Sequence, residues 1–333
     1  MRPFSRRRWL RGVVGLASTG LLSGCGRLSF PTAPPSHVPR IGWLSPVNGP
    51  GSREFDSVRE GMHELGYAEG QNVSFESRLT DGRNERMPAL AAELVNLGVD
   101  VMVTDGLAAA IAARDATRTV PIVMGIITDP IGSGLVTSLN RPGGNITGFA
   151  SLGEGIQAKR VQLFTEAIPH LSRVAVLHDP TVPASVLSET QSAAFSFGLE
   201  LLVLPTRTPD DLEHALAAAS DARADGLTTT GGPLHAQLRK PIVGLALEHR
   251  LPAIFGDRDY AADGGLLAFG PNVPDIFRRS ASYVDKVLKG ANPGELPIQQ
   301  PTKFDFVINL STAHALGLTI PPAVLAQVTE AVQ

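Results

Sequence analysis

Four aspartates stand directly after apolar, β-branched runs of the sequence, and their position suits them to chemistry. They are Asp105, Asp129, Asp179 and Asp257, and each follows a segment that predicts a buried strand. Ligands of open α/β sheets bind beyond the carboxyl ends of the strands, so carboxylates there are suited to receive a cationic or amino group. Turns and helix starts also favour aspartate, so each one alone is expected as readily to cap its own turn as to contact a ligand.

The clearest of these strand ends is the stretch at residues 120–135. Its apolar run stops at Thr128-Asp129-Pro130, and a glycine-rich segment follows. Because proline keeps the preceding residue out of the α region, Thr128 and Asp129 are expected to remain at the lip of the sheet. We predict that this turn forms half of a binding site.

The other candidates come from the same rule applied to each predicted strand end. Arg258 is the candidate to pair with a carboxylate in bidentate fashion, with backbone N–H groups near Gly106 assisting, and Tyr260 is the candidate to stack on a ligand. An amino acid or a related zwitterion fits such groups. The predicted ligand-binding residues are Ser45, Asp105, Gly106, Thr128 and Asp129 on one wall, and His178, Asp179, Gly231, Gly232, Asp257, Arg258 and Tyr260 on the other.

The elements that must hold these residues alternate along the chain. Strands predicted near residues 40–46, 73–79, 99–104 and 120–127 are separated by helical segments, which indicates parallel βαβ units. The pattern starts again at Arg173, with an offset of roughly 130 residues. The sequence therefore predicts an α/β protein of two similar doubly wound domains, whose strand ends face each other across a cleft.

The first 39 residues do not follow this pattern. Residues 1–24 contain a twin-arginine stretch and an apolar run too short to span a bilayer, so they predict an export signal. Residues 22–25, Leu-Ser-Gly-Cys, resemble a bacterial lipobox, in which the cysteine is lipid-modified and becomes the new N-terminus. Cys25 is the only cysteine of the chain and so has no disulfide partner. Residues 25–39, with four prolines, predict a tether between lipid and fold.

Composition limits the function further. The 333 residues are 43% hydrophobic and 18% charged, as in a soluble globular chain of about two domains. Residues 1–24 hold five arginines and no acidic residue, so the formal net charge falls from −3 to −8 without them. Such an acidic chain has no footprint for nucleic acid. The patterns H-x-x-x-H, H-E-x-x-H and G-x-S-x-G do not occur, and we predict no metal, no cofactor and no catalytic residue.

One alternative is an exported NAD(P)-dependent oxidoreductase. Residues 153–158 fit G-x-G-x-x-A, follow a short predicted strand, open a predicted helix and precede Asp179 by about twenty residues, as a dinucleotide-binding motif does. Twin-arginine export also suits proteins that fold around a cofactor before export. Against this, Glu154 would place a carboxylate where the pyrophosphate must lie, and the segment lies at a predicted domain crossing.

Several motifs resemble, in order, the substrate-binding proteins of a group of bacterial ABC importers that includes tryptophan- and tyrosine-type amino-acid binders. The resemblance covers residues 40–333. Its motifs are ELGYAEGQNV (64–73), LAAELV (90–95), DPIGSGLV (129–136), RPGGNITG (141–148), YVDKVLKG (283–290), PTKFDFVINL (301–310) and ALGLTIP (315–321).

The resemblance implies a type I periplasmic binding-protein fold, with flavodoxin-like strand order and a three-segment hinge. We place the chain crossings near residues 148–152, 270–273 and 293–297. The expected lobe I is residues 40–149 plus 271–294, and the expected lobe II is residues 150–270 plus 295–330. The helix at 275–289 is expected to return to lobe I, and the strand at 304–309 to lobe II.

The resemblance also implies a function. The expected protein is an exported solute-binding receptor on the periplasmic side of the cell envelope, held to the membrane only by lipid on Cys25. It would close over a small molecule and present it to an ABC permease and its ATPase, without enzymatic activity. A sensory ligand-binding protein is a further alternative. The cleft departs from the family pattern at Leu107, Asp179 and Gly231-Gly232, so the ligand of a relative cannot be carried over.

Overall fold

A sheet of five parallel strands forms the first half of the fold. The structure, a computed structural model, describes residues 37–151 and 155–333. The strands are β1 (Arg40–Ser45), β2 (Ser74–Leu79), β3 (Val101–Asp105), β4 (Ile122–Ile127) and β5 (Ile146–Ala150), in the order β2-β1-β3-β4-β5. All except the edge strand β2 are almost wholly buried, which explains their continuous apolar sequence, because strands covered on both faces have no solvated side.

A second sheet of seven strands repeats this arrangement and extends it. Its strands are β6 (Arg173–His178), β7 (Glu200–Pro205), β8 (Gly226–Thr229), β9 (Ala253–Phe255), β10 (Leu267–Pro271), β11 (Phe304–Asn309) and β12 (Glu330–Val332). The order is β12-β11-β10-β9-β8-β6-β7, so β7-β6-β8-β9-β10 has the strand order of the first sheet. Only the β10–β11 pair is antiparallel among these strands. The predicted pair of doubly wound sheets with flavodoxin-like order is confirmed.

Helices cover both faces of each sheet. We call the first sheet and its helices lobe I, and the second sheet and its helices lobe II. Lobe I has α1 (Arg53–Glu64), α2 (Met87–Asn96) and α3 (Leu107–Ala116), with a 3₁₀ turn at Asn84–Arg86. Lobe II has α4 (Ile156–Ala167), α5 (Ala184–Ser196), α6 (Asp211–Asp221), α7 (Pro233–Gln237), α8 (Arg239–Glu248) and α9 (Arg258–Ala262). The chain continues with α10 (Val273–Leu288), a 3₁₀ turn at Pro293–Glu295, α11 (Leu310–Ala315) and α12 (Pro322–Leu325).

Helix α10 packs on lobe I, although it follows β10 of lobe II in the chain. It packs along α1 and against β3, β4 and β5, and it supplies Phe277, Ala281 and Val284 to the apolar core on that face. The two helices approach so closely that a Cβ on Gly61 of α1 would lie 2.4 Å from the backbone oxygen of Arg278. Glycine is therefore required at position 61 for this packing.

The connections between the lobes follow three neighbouring segments. β5 belongs to lobe I and α4 packs on lobe II, so the first crossing lies between residues 150 and 156. The second lies between β10 and α10, where the Asn272 N–H donates to the Lys303 oxygen at 3.0 Å. The third comes later than the predicted residues 293–297. The Gln299 N–H donates to Gly148 at 3.0 Å, and the Gln299 oxygen accepts from Ala150 at 2.9 Å, so residues up to 299 pair with lobe I. We therefore propose residues 300–303 as the third hinge segment.

Several sequence predictions lie outside the described residues. The export signal at 1–24, Cys25 and most of the tether at 25–39 are among them, as is Glu154 of the G-x-G-x-x-A motif. Residues 37 to 333 form one compact unit. Within its described part, no helix combines the length and apolar composition that crossing a bilayer requires.

Candidate functional site

The two lobes meet in front of the carboxyl ends of their parallel strands. Helix α1 follows β1 in lobe I, and α9 follows β9 in lobe II, so the first turns of both helices lie at these ends. There the Arg53 guanidinium group donates to the carboxylate of Asp259 across the cleft. This hydrogen bond also raises the pKa of Arg53. The cleft of the fold is therefore spanned by an ion pair in this structure.

The lobe I wall is organised by Asp105, at the end of β3. Its Oδ2 accepts a hydrogen bond from Ser45 Oγ at 2.7 Å and another from Asn48 Nδ2 at 2.9 Å. The Ser45 hydroxyl in turn accepts from the Asn48 N–H at 2.9 Å, and the Asn48 oxygen accepts from Trp43 Nε1 at 2.6 Å. The loop after β1 is thus folded around one buried carboxylate.

Asp105 lacks a cationic partner. It is 6% exposed, and no basic nitrogen lies within 4 Å of it in the described chain. Burial raises its pKa, while the hydrogen bonds from Ser45 and Asn48 oppose that rise. Burial also raises the pKa of the neighbouring Glu54, in the first turn of α1, and the charge of Asp105 raises it further. Ionisation of both carboxyl groups is therefore unfavourable, and a nearby cation would stabilise their charged forms.

The lobe II wall centres on Asp257, the N-cap residue of α9. Its Oδ1 accepts from the Asp259 N–H at 2.8 Å. The side chain is exposed to solvent, yet surrounding protein desolvates the carboxyl group and raises its pKa, with a further rise from the charge of Asp259. Arg239, at the start of α8, lies beside it with Nε 2.5 Å from Asp263 and Nη1 3.7 Å from Asp259.

The other two predicted aspartates cap their own turns. Asp129 Oδ1 accepts from the Gly132 N–H at 2.7 Å, and the Thr128 hydroxyl beside it lies 3.5 Å from the Ser151 hydroxyl. Asp179 is 1% exposed and accepts from both the N–H and the hydroxyl of Thr181, at 2.9 and 2.7 Å. Local capping, one of the two roles expected for each aspartate, accounts for the Gly132 and Thr181 hydrogen bonds, and Asp179 Oδ2 also accepts from the Leu234 N–H at the start of α7, at 3.4 Å.

Three predicted residues form the turn beside Asp179. The half-buried His178 has Nδ1 3.5 Å from the Thr230 hydroxyl. Gly231 and Gly232 have φ of +75° and +106°, and a Cβ on Gly232 would lie 2.5 Å from Asp179 Oδ2. The glycine pair is therefore explained by backbone conformation and close packing at this turn.

Arg258 and Tyr260 are placed differently from the sequence-based expectation. Arg258 Nη2 lies 2.5 Å from Glu330 and Nη1 lies 3.7 Å from Asp305, so two carboxylates of β11 and β12 already hold its guanidinium group. Tyr260 is 5% exposed, stacks on Phe255 with ring centroids 4.2 Å apart, and donates to the His235 oxygen at 2.9 Å. Neither side chain is available as the expected carboxylate partner or stacking surface in this structure.

The sequence-based search missed Asn48, Arg53, Glu54, Arg239 and Asp259. Asn48, Arg53, Glu54 and Arg239 lie in the loop after β1 or in the first turns of α1 and α8, away from the strand ends that guided the prediction, and Asp259 lies between the predicted residues Arg258 and Tyr260 of α9. A signal for Arg53 and Glu54 was present, because a helix that follows a parallel strand begins at the carboxyl edge of the sheet. Its first turn therefore belongs to the same cleft.

The N-terminus of α3 adds hydrogen-bond donors next to Asp105. Gly106 is its N-cap residue and has no side chain to cap it. The N–H groups of Leu107 and Ala108 have no partner within the described chain, and both residues are exposed. Free N–H groups at the positive end of a helix dipole suit a carboxylate. A carboxylate acceptor and anion-binding donors thus lie side by side on lobe I.

The G-x-G-x-x-A segment lacks the context that dinucleotide binding requires. The strand before it, β5, belongs to lobe I, whereas the strand after α4, β6, belongs to lobe II. A dinucleotide-binding unit needs both strands in one sheet.

In the described ranges, no group of three or more histidine, cysteine, aspartate or glutamate side chains has the geometry to hold a metal ion.

Comparisons with known proteins agree with this architecture. A family model described as "ABC transporter substrate binding protein" matches residues 40–332. The chain is 21% identical over 322 residues to a tyrosine-binding protein of Clostridioides difficile (strain R20291), covering 92% of this chain and 91% of that protein. A crystal structure of a conserved domain protein from Vibrio cholerae is 28% identical, with a TM-score of 0.80 over 89% of this chain and 100% of that one. A domain from Streptococcus pneumonia, crystallised in complex with L-Trp, is 24% identical, with a TM-score of 0.82 and the same coverage.

The cross-lobe ion pair leads to a first prediction. Arg53→Met removes the contact with Asp259 and is expected to enlarge the open population of the ligand-free protein. Because both side chains are partly exposed, the pair contributes at most about 1 kcal/mol, which corresponds to roughly fivefold in the open-to-closed ratio. Small-angle X-ray scattering would measure this as a larger radius of gyration. Arg59→Met is the control, since Arg59 of the same helix pairs with Glu69 within lobe I. An equal change in both variants would contradict the prediction.

A second prediction concerns Asp105. Its raised pKa means that its favourable contribution to stability is present below the ordinary aspartate pKa, near 3.8, and is lost as pH rises through the raised value. At pH 7 the ligand-free protein therefore carries an unfavourable buried charge. Asp105→Asn keeps an oxygen acceptor for Ser45 and Asn48, and we expect it to raise the free energy of unfolding in urea at pH 7. The difference in the free energy of unfolding between the variant and the wild type should become smaller toward pH 4. A variant less stable than wild type at pH 7 would count against this account.

Proposed function

The chain belongs to the ABC transporter substrate-binding protein family, and we propose that it captures an amino acid between its lobes and delivers it to the permease of an importer. The observation that carries the proposal is Asp105, a buried carboxylate without a cation, next to the free N–H groups at the start of α3. The ammonium and carboxylate of an amino acid are separated by one carbon atom. Their binding groups must therefore be neighbours, and here they are neighbours in sequence and in space.

The proposed binding geometry assigns the amino-acid head group to lobe I. The ammonium group donates to Asp105, whose second oxygen, Oδ1, has no partner among the described residues. The carboxylate accepts from the N–H groups of Leu107 and Ala108, which gives Gly106 its role as a bare helix cap. Lobe II then closes over the side chain of the ligand and presents Asp257 to it. Arg258 and Tyr260 are left out of this site because their side chains have partners elsewhere.

The comparisons support an amino acid as the ligand class. One relative is named a tyrosine-binding protein, and one similar structure contains L-Trp. Both cover nearly the whole described chain, so the likeness includes both lobes and the connections between them. We do not infer the side chain of the ligand from either relative, because it depends on the cleft residues of this chain.

The mechanism follows from the placement of the groups on two bodies joined by three segments. A ligand that contacts only lobe I would bind equally well to the open and closed forms and would not change the equilibrium between them. A ligand that also contacts Asp257 binds the closed form more tightly, by the free energy of those added contacts. Closure around the ligand then creates the surface that the permease recognises, and ATP hydrolysis on the cytoplasmic side drives release. No covalent chemistry is required for this cycle.

The proposal is tested by binding of L-amino acids to the purified protein. Isothermal titration should detect at least one that binds, and that ligand should raise the unfolding temperature, because it binds only the folded state. Asp105→Asn should weaken its binding by about tenfold or more, since it removes a charge-assisted hydrogen bond. Arg258→Gln is the control and should leave affinity within about twofold, because Arg258 pairs with Glu330 and Asp305. Loss of binding in the control alone would refute the site.

We further propose that the protein is exported and held to the envelope by lipid on Cys25. The sequence of residues 1–39 supports this, and substrate-binding proteins of this family work outside the cytoplasmic membrane. Cys25→Ser should move the protein from the membrane fraction to the soluble fraction of the cell envelope, because no other anchor is proposed. Ser29→Ala, in the same tether, should leave the distribution unchanged. Membrane retention of the Cys25→Ser protein would disprove the anchor.

A further inference from the structure

The described cleft holds more negative than positive charge. Five carboxyl groups lie around the meeting point of the lobes: Glu54, Asp105, Asp257, Asp259 and Asp263. Two guanidinium groups lie among them, Arg53 paired with Asp259, and Arg239 paired with Asp263 and Asp259. Glu54, Asp105 and Asp257 have no basic nitrogen within 4 Å in residues 37–151 and 155–333.

These three carboxyl groups lie on both walls and in one electrostatic neighbourhood. Glu54 and Asp105 belong to lobe I, and their charges act on each other. Asp257 belongs to lobe II, where the charge of Asp259 acts on it from the same helix, and the charge of Arg53 acts on it across the cleft. Asp105 is itself more than nine-tenths buried, with Oδ1 free of any described partner. The excess charge is therefore part of the cleft and not of an outer, fully solvated surface.

The head group of a neutral amino acid compensates only part of this charge. Its ammonium group meets Asp105, and its carboxylate meets the N-terminus of α3. Glu54 and Asp257 would then be enclosed on closure with an apolar side chain between them. Enclosing ionised carboxylates against apolar groups is unfavourable, whereas an ammonium or guanidinium group between them gains charge-assisted hydrogen bonds.

We propose that the ligand is a basic amino acid, whose side-chain cation is held between Asp257 of lobe II and Glu54 of lobe I. This inference rests on the proposed function and specifies its substrate class. Asp257 then has a defined role in selectivity: it favours the closed form only when the ligand presents a positive charge to it. A diamine is a poorer fit, because it offers nothing to the unpartnered N–H groups at the start of α3.

Matched ligand pairs test the proposal directly. L-Lysine and L-norleucine differ by the terminal ammonium group, and L-arginine and L-citrulline differ by the charge of an otherwise similar planar group. Isothermal titration at pH 7 and low salt should show that the charged member of at least one pair binds about tenfold or more tightly than its neutral partner. Added salt should narrow that ratio, since part of it is Coulombic.

Variants locate the selectivity. Asp257→Asn keeps the oxygen that accepts from the Asp259 N–H, so the start of α9 is expected to remain intact. It should lower the affinity for the charged ligand about tenfold while leaving the neutral partner within about twofold. Glu54→Gln should act in the same direction. Asp210→Asn, at an exposed position before α6 in lobe II, is the matched control and should change neither affinity.

The outcomes separate this inference from the function on which it rests. Equal or tighter binding of the neutral member in both pairs overturns the basic ligand and leaves the amino-acid receptor in place. Binding of putrescine without binding of lysine or arginine also overturns it, because the carboxylate would then play no part. Failure of all neutral and basic amino acids to bind would overturn both proposals. Retained selectivity in folded Asp257→Asn protein would remove the assigned role of that residue.

Discussion

Most charged groups in the cleft are positioned by one constraint, that parallel strands end at the same edge of a sheet. In each lobe the strand order 2-1-3-4-5 brings the ends of the central strands together, and the helices that follow begin at that edge. The three connecting segments turn the two edges toward each other, so Arg53 and Asp259, 206 residues apart in sequence, form an ion pair. The site is thus a product of topology, and the identity of the side chains at the strand ends determines its chemistry.

Much of the fold could be predicted because its signals are local. Buried parallel strands appear as continuous apolar runs, and β1, Arg40–Ser45, ends within one residue of its predicted bounds. Helix α10, Val273–Leu288, lies within two residues of the limits 275–289 expected from the resemblance. The resemblance implies a third crossing near residues 293–297, and we propose residues 300–303 in its place. Backbone hydrogen bonds of Gln299 to Gly148 and Ala150 decide its position, and such pairings leave no trace in the local sequence.

The candidate site was predictable as a region and much less so in its individual side chains. Asp105 ends β3, and Asp257 follows the end of β9 by two residues, so both were expected at this edge. The four residues from Asp257 to Tyr260 show why a strand end does not determine the partner of each side chain. Asp257 caps α9, Arg258 pairs with Glu330, Asp259 pairs with Arg53 across the cleft, and Tyr260 packs on Phe255. In a helix, consecutive side chains point in directions about 100° apart, so a strand end predicts the edge that such residues occupy but not the partner that each one meets.

The balance of charge explains how a receptor of this kind avoids closing without its ligand. The Arg53–Asp259 pair favours closure only weakly, because both side chains are partly exposed and exposed pairs contribute at most about 1 kcal/mol. Opposing it, closure brings Asp257 toward Glu54 and Asp105, three carboxyl groups whose pKa values are already raised by desolvation. In the proposed cycle, repulsion among them disfavours the empty closed form, and a bound cation would remove it. Under that proposal, the carboxylates that reduce the stability of the empty protein also make closure depend on the ligand.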